Sequence, residues 1–110
     1  EGDEYQTLAD IKKNSNKILC LIIEFHKINE NIKIIENFIN EIEILKLIHI
    51  HANNFAGINN KGHPNCLELT FVNNNNLKLN LIKTTKTFPI NGIDYSNWKR
   101  QKDINLKFDE

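Results

Sequence analysis

Hydrophobic positions along the chain change their spacing several times, and each change marks an element. Tyr5, Leu8 and Ala9 fall at helical spacing, with Asp3 and Glu4 ahead of them and Lys12 and Lys13 behind. Acid at the start and base at the end suit the helix dipole, so a helix is predicted over 4–14, stopped by Asn14-Ser15-Asn16. The run Ile18-Leu19-Cys20-Leu21-Ile22-Ile23 is apolar without interruption and closes on Glu24, Phe25 and His26. Such a run reads as a central strand covered on both faces, here 18–26. Ile28, Ile32, Ile35, Phe38, Ile39, Ile42 and Leu45 then lie on one helical stripe, which predicts an amphipathic helix over 29–44.

The stripe gives way to β-branched residues at Leu47-Ile48-His49-Ile50-His51, a second strand at 46–52. Helix 29–44 would then be the crossover between two parallel strands. The polar stretch 52–65, with Gly57, Gly62 and Pro64, reads as a long loop of the kind that carries function. Leu67, Leu69 and Phe71 alternate in a third strand at 66–72. After the turn-prone Asn73–Asn76, Leu77, Leu79 and Leu81 alternate with polar residues, which suggests a fourth strand at 77–83 in a hairpin with the third. The remainder, with Phe88-Pro89 and Trp98, reads as irregular chain with a polar tail. Strands alternating with helices give an α/β class.

Composition adds limits. At 110 residues, the chain is one domain or part of one, because two domains would each be too short for a core. Fourteen basic residues balance 14 acidic ones, so nothing calls for nucleic acid or an acidic membrane. No apolar run approaches the roughly 20 residues of a membrane span. Asn, Ile and Lys number 19, 18 and 13, together 50 of the 110, which weakens Asn and Lys as loop signals. Cys20 and Cys66 match neither a disulfide framework nor a paired-cysteine zinc spacing, and read as reduced, buried thiols in a cytoplasmic protein. The opening Glu1-Gly2-Asp3-Glu4 has no initiator Met, which is expected of a fragment that starts downstream of its true beginning.

In an open parallel sheet, ligands bind beyond the carboxyl ends of the strands. Glu24 and His26 end the first strand and share a face. His49 and His51 share a face near the end of the second, followed by Asn53 and Asn54. Three histidines and a carboxylate on one rim can hold a metal through His26, His49 and His51, or supply a general base near neutral pH. The plainer alternative is a set of half-buried, hydrogen-bonded rings. Glu68, in an otherwise apolar strand, either faces outward or needs a partner. His63 reads as a solvated loop residue, and Trp98 as a ligand-stacking or surface-packing ring.

The same residues carry a family resemblance. Glu1-Gly2-Asp3-Glu4-Tyr5 with Leu8 resembles the "EGxEyxxL" segment that follows the fourth strand in FkbM-type methyltransferases. Ile22-Ile23-Glu24-Phe25-His26 is similar to their "vvlEfH" fifth strand. His51-Ala52-Asn53-Asn54 and Pro64-Asn65-Cys66-Leu67-Glu68-Leu69-Thr70-Phe71 resemble the "HxNN" and "P-x-vlElTf" segments of some members. Phe88-Pro89-Ile90-Asn91-Gly92-Ile93-Asp94-Tyr95 is similar to their "lPixgLDyPN" tail.

The resemblance implies that residues 1–110 are the carboxyl-terminal half of a doubly wound, Rossmann-like, S-adenosylmethionine-dependent O-methyltransferase. The glycine-rich loop and acidic strand end that hold the cofactor have no counterpart here, so no cofactor-binding residue is expected in this chain and S-adenosylmethionine is expected only in the full-length protein. It further implies Glu1, His26 and His51 as catalytic residues, and Glu24, Asn53 and Asn54 as contacts to a glycan or small-molecule acceptor. Missing flanking strands would leave an open sheet edge suited to a homodimer. In the family's sheet the seventh strand lies between the fifth and sixth, which leaves no edge for a hairpin at 77–83; either the hairpin or the usual strand order must give way.

Overall fold

A computed structural model describes residues 2–107. Three strands form the main sheet: β1 (Cys20–His26), β2 (Leu45–Ala52) and β3 (Cys66–Asn73), in the order β1-β3-β2. β3 runs antiparallel to both neighbours, pairing Glu24 with Glu68 on one side and His51 with Glu68 on the other. β1 and β2 are therefore parallel to each other but are not neighbours, because β3 has entered between them. The expected crossover helix is present as α2 (Ile28–Glu41), and the first helix as α1 (Glu4–Lys13). Residues 18 and 19 are not part of β1; a 3-10 turn over Ser15–Lys17 precedes them.

Both helices pack on one face of the sheet. Leu8 of α1 and Ile28, Ile35 and Phe38 of α2 are buried with Ile23, Phe25, Leu69, Phe71 and Leu45 of the strands. The Phe38 ring meets Phe25 and Phe71 edge-on, with centroids 6.2 and 5.7 Å away. A surface ion pair, Lys12 with Glu41, joins the two helices.

β2 solves a phase problem in its own sequence. Leu45 and Leu47 sit at odd positions, whereas Ile50 and Ala52 sit at even ones, so strict alternation would send one pair to the wrong face. A β-bulge between Leu47 and His49 inserts Ile48 as the unpaired residue. Ile48 is 40% exposed. Leu47 and Ile50 thereby both reach the core, while His49 and His51 face away from it.

The expected strand at 77–83 is absent. Asn73 ends β3, and its side chain accepts from the Asn76 backbone N–H, capping the one-turn helix α3 (Asn74–Leu77). Asn is a favoured N-cap, so the asparagine run starts a helical turn instead of a hairpin. Both edges of β3 are already taken by β1 and β2. Residues 78–86 consequently have no regular structure, and Ile82 is 85% exposed. The terminal stretch is more ordered than expected: β4 (Thr87–Phe88) pairs antiparallel with β5 (Leu106–Lys107). Cys66 is buried as expected, but Cys20, at the open end of β1, is exposed, and both are free thiols. No helix among the described residues is long and apolar enough to cross a membrane.

Candidate functional site

The face of the sheet opposite the helices is polar at its carboxyl-terminal rim. Period two puts Glu24 and His26 of β1 on it, and antiparallel pairing sets them across from Glu68 and Cys66. On the other side of β3, His51 lies across from Glu68 and His49 across from Thr70. The segment after β4 crosses this face and contributes Asp94, Asn97 and Asp103. The result is five carboxylates around three histidines: Glu4, Glu24, Glu68, Asp94 and Asp103.

Each histidine is held differently. His26 is clamped from both sides: Nδ1 lies 3.1 Å from Glu4 Oε1 and Nε2 lies 3.0 Å from Glu24 Oε1. The His26 backbone N–H also donates to Glu4 Oε1 at 3.0 Å, and the Tyr5 hydroxyl donates to the His26 carbonyl. His51 is buried between Glu68 Oε2 on Nδ1 and Asp103 Oδ2 on Nε2, each at 3.2 Å. His49 meets Asp94 Oδ1 at 2.7 Å through Nε2, and the edge of its ring packs near Phe88. Asp94 also accepts the Ile90 N–H at 2.6 Å.

These surroundings set charge states. Burial alone would raise the Glu4 carboxyl, but the N–H groups of His26, Glu4 itself and Gly2, with the His26 ring, hold it down at about 2. Glu4 is therefore a carboxylate, and His26 Nδ1 is a donor towards it. Burial pulls His51 down, yet its bonds to Asp103 and Glu68 outweigh that and leave its pKa raised. Asp94, which burial would raise, is kept below the usual aspartate range by the Ile90 N–H and His49. Burial, followed by the charge of Glu24, pushes the Cys66 thiol up to about 12.

The two asparagines after β2 have separate duties. Asn53 donates to Glu24 Oε2 at 3.2 Å and its Oδ1 accepts the Phe55 N–H at 3.1 Å, capping a 3-10 turn at Asn54–Ala56. Asn54 is fully buried: Nδ2 donates to the carbonyls of Trp98 and Gln101 at 2.9 and 3.1 Å, and Oδ1 accepts the Trp98 N–H at 2.8 Å. It ties the terminal segment down, and Trp98 packs its ring against Phe55. His63 is exposed.

Of the residues singled out from sequence, His26, Glu24 and Asn53 share one hydrogen-bonded cluster, and His51 belongs to a second one around Glu68. Glu1 lies outside the described residues. His26 is on β1 whereas His49 and His51 are on β2, with β3 between, so the three rings do not converge on one point. Among the described residues, the one group of ligand atoms close enough for a single ion is Glu24, His26 and Cys66, all within 4.8 Å of one another. Glu4, Cys66, Asp94 and Asp103 were not singled out. Glu4 looks like an ordinary first-turn acid, and the polar tail has no periodicity to place its aspartates. Cys66 was findable: His26 and Glu24, two apart on one strand, face Cys66 and Glu68, two apart on the next, once the pairing is antiparallel. A groove of about 920 Å³ lies between the bulge of β2 and residues 80–85, lined by none of these histidines or carboxylates.

No family model matches the chain, and no match is found among curated proteins or solved structures.

Proposed function

We propose that this chain is the carboxyl-terminal half of an S-adenosylmethionine-dependent O-methyltransferase of FkbM type, acting in the cytoplasm on a hydroxyl of a glycan or small metabolite. The observation that carries this reading is the strand order. A parallel pair, β1 and β2, with antiparallel β3 inserted between them, is the arrangement that the motif resemblance implies for the fifth, sixth and seventh strands. The absence of a hairpin at 77–83 agrees with it.

On this reading the rim formed by Glu24, His26 and Asn53 faces the acceptor. Methyl transfer requires the acceptor oxygen to be aligned and its proton removed. His26 suits that task best, because the Glu4 carboxylate fixes its Nδ1 while Nε2 points to the half-exposed Glu24. This is the logic of a base oriented by a carboxylate. His51 is buried between Asp103 and Glu68, which favour its protonated form and leave it less able to accept a proton from an acceptor. A version extended upstream through the glycine-rich loop is expected to bind S-adenosylmethionine by calorimetry, whereas residues 1–110 do not. Lack of binding by the longer version overturns the proposal. In that longer enzyme, His26→Gln lowers kcat by roughly 10²–10⁴-fold, the usual contribution of a positioned base.

A further inference from the structure

Cys66 is 1% exposed, and it sits beside the part-exposed Glu24 and His26 with no role in the reading above. Its thiol, the His26 imidazole and the Glu24 carboxylate supply a soft sulfur, a borderline nitrogen and a hard oxygen within 4.8 Å. That mixed set matches zinc.

The hydrogen-bond pattern around His26 points the same way. Glu4 Oε1 holds Nδ1 at 3.1 Å, which leaves Nε2 on the side of Glu24 Oε1, 3.0 Å away, where a cation can bridge the two. Ligand atoms around a tetrahedral zinc stand roughly 3.3–3.7 Å apart, given bonds of about 2.0–2.3 Å. The Glu24–His26 pair is already slightly closer than that, so an ion needs them to part by a few tenths of an ångström while the Cys66 sulfur draws in. Outer supports are in place as well: Glu4 orients His26, and Asn53 holds the second oxygen of Glu24.

We infer that Glu24, His26 and Cys66 form a zinc site with three protein ligands and a fourth position open to water. Binding forms a zinc–thiolate bond and releases the Cys66 thiol proton to solvent. The site does not rest on the methyltransferase reading. Where both hold, zinc occupies the nitrogen that would take the acceptor's proton, so added zinc slows the upstream-extended enzyme while still binding to residues 1–110.

Titrating the 110-residue chain with Co²⁺, then displacing it with Zn²⁺, tests the site directly. One equivalent of Co²⁺ is expected to give a thiolate-to-cobalt charge-transfer band that Zn²⁺ abolishes. Cys66→Ser should remove the band, and His26→Gln and Glu24→Gln should each weaken Zn²⁺ binding at least tenfold with the far-ultraviolet dichroism unchanged. Glu4→Gln, which touches no ion, is expected to weaken it by roughly 10–100-fold. Cys20→Ser should change nothing. The inference is overturned by absence of stoichiometric binding, by a band lost on Cys20→Ser, or by Zn²⁺ affinity unaltered in both His26→Gln and the solvent-facing Glu24→Gln.

Discussion

At the scale of single residues, two positions bear unusual local demands. Gly57 closes the 3-10 turn at φ +71°, ψ −165°, a region open essentially to glycine alone. A Cβ there would meet nothing within 4 Å, so the cost of Gly57→Ala is one of backbone alone. It should destabilise the fold by about 1–3 kcal/mol, measurable by urea denaturation; an effect near zero would mean that the turn relaxes. His51 carries the second demand. Its raised pKa means that the fold favours the imidazolium, so its stabilising contribution is whole below the ordinary value of 6.5 and fades as pH climbs through the folded value. Asp94 runs the other way: its contribution is present above 3.8 and disappears as pH drops through its depressed value. The terminal segment should therefore be held most firmly in the mildly acidic window between them. Proton NMR should place the His51 midpoint above 6.5, and Asp103→Asn should lower it, with Glu68 left as the acceptor on the other nitrogen and Asp94 close by. An unchanged midpoint would remove Asp103 as the cause.

Elements show where sequence reasoning works and where it stops. The stripe of Ile28, Ile32, Ile35, Phe38, Ile39, Ile42 and Leu45 was legible because a helix repeats its inward face. The structure buries all of it but Ile39, which is partly buried, and Ile32, which is 42% exposed; Ile42 and Leu45 lie beyond the end of α2. Phe38 stands between two other rings, so Phe38→Ala should cost about 3–5 kcal/mol in chemical denaturation. Alternation at Leu77, Leu79 and Leu81 was equally plain, yet it reports only that an extended chain would be two-faced. It says nothing of whether any strand has an edge to offer, and β3 has none. Ile82→Ser should accordingly change stability by less than roughly 0.5 kcal/mol. A loss of several times that amount would show that residues 78–86 pack against something. The site was legible in part for the same reason: Glu24, His26, His49 and His51 carry their face in their spacing, whereas Cys66 and Glu68 become their neighbours only through long-range register.

For the whole molecule, the decisive feature is the free edge of the sheet at β1. β1 has β3 on one side and no strand among the described residues on the other, and Ile22 on its polar face is 72% exposed. An open, apolar edge strand recruits partners. The isolated 110-residue chain is therefore expected to self-associate with rising concentration in sedimentation experiments, and Ile22→Lys should shift it towards monomer. A chain that stays monomeric at high concentration would show that the edge is protected. If upstream strands cover this edge in a longer protein, that association should vanish.

The bulge in β2 has a meaning for how such a sequence can change. Remove Ile48 and the remaining order, Leu45, Lys46, Leu47, His49, Ile50, His51, Ala52, alternates without a fault, so each side chain keeps its present side. Most deletions within a strand invert everything that follows them; this one would not. Ile48 is in effect a spare letter, and chain length can vary by one at that spot while the histidines of the rim stay where they are.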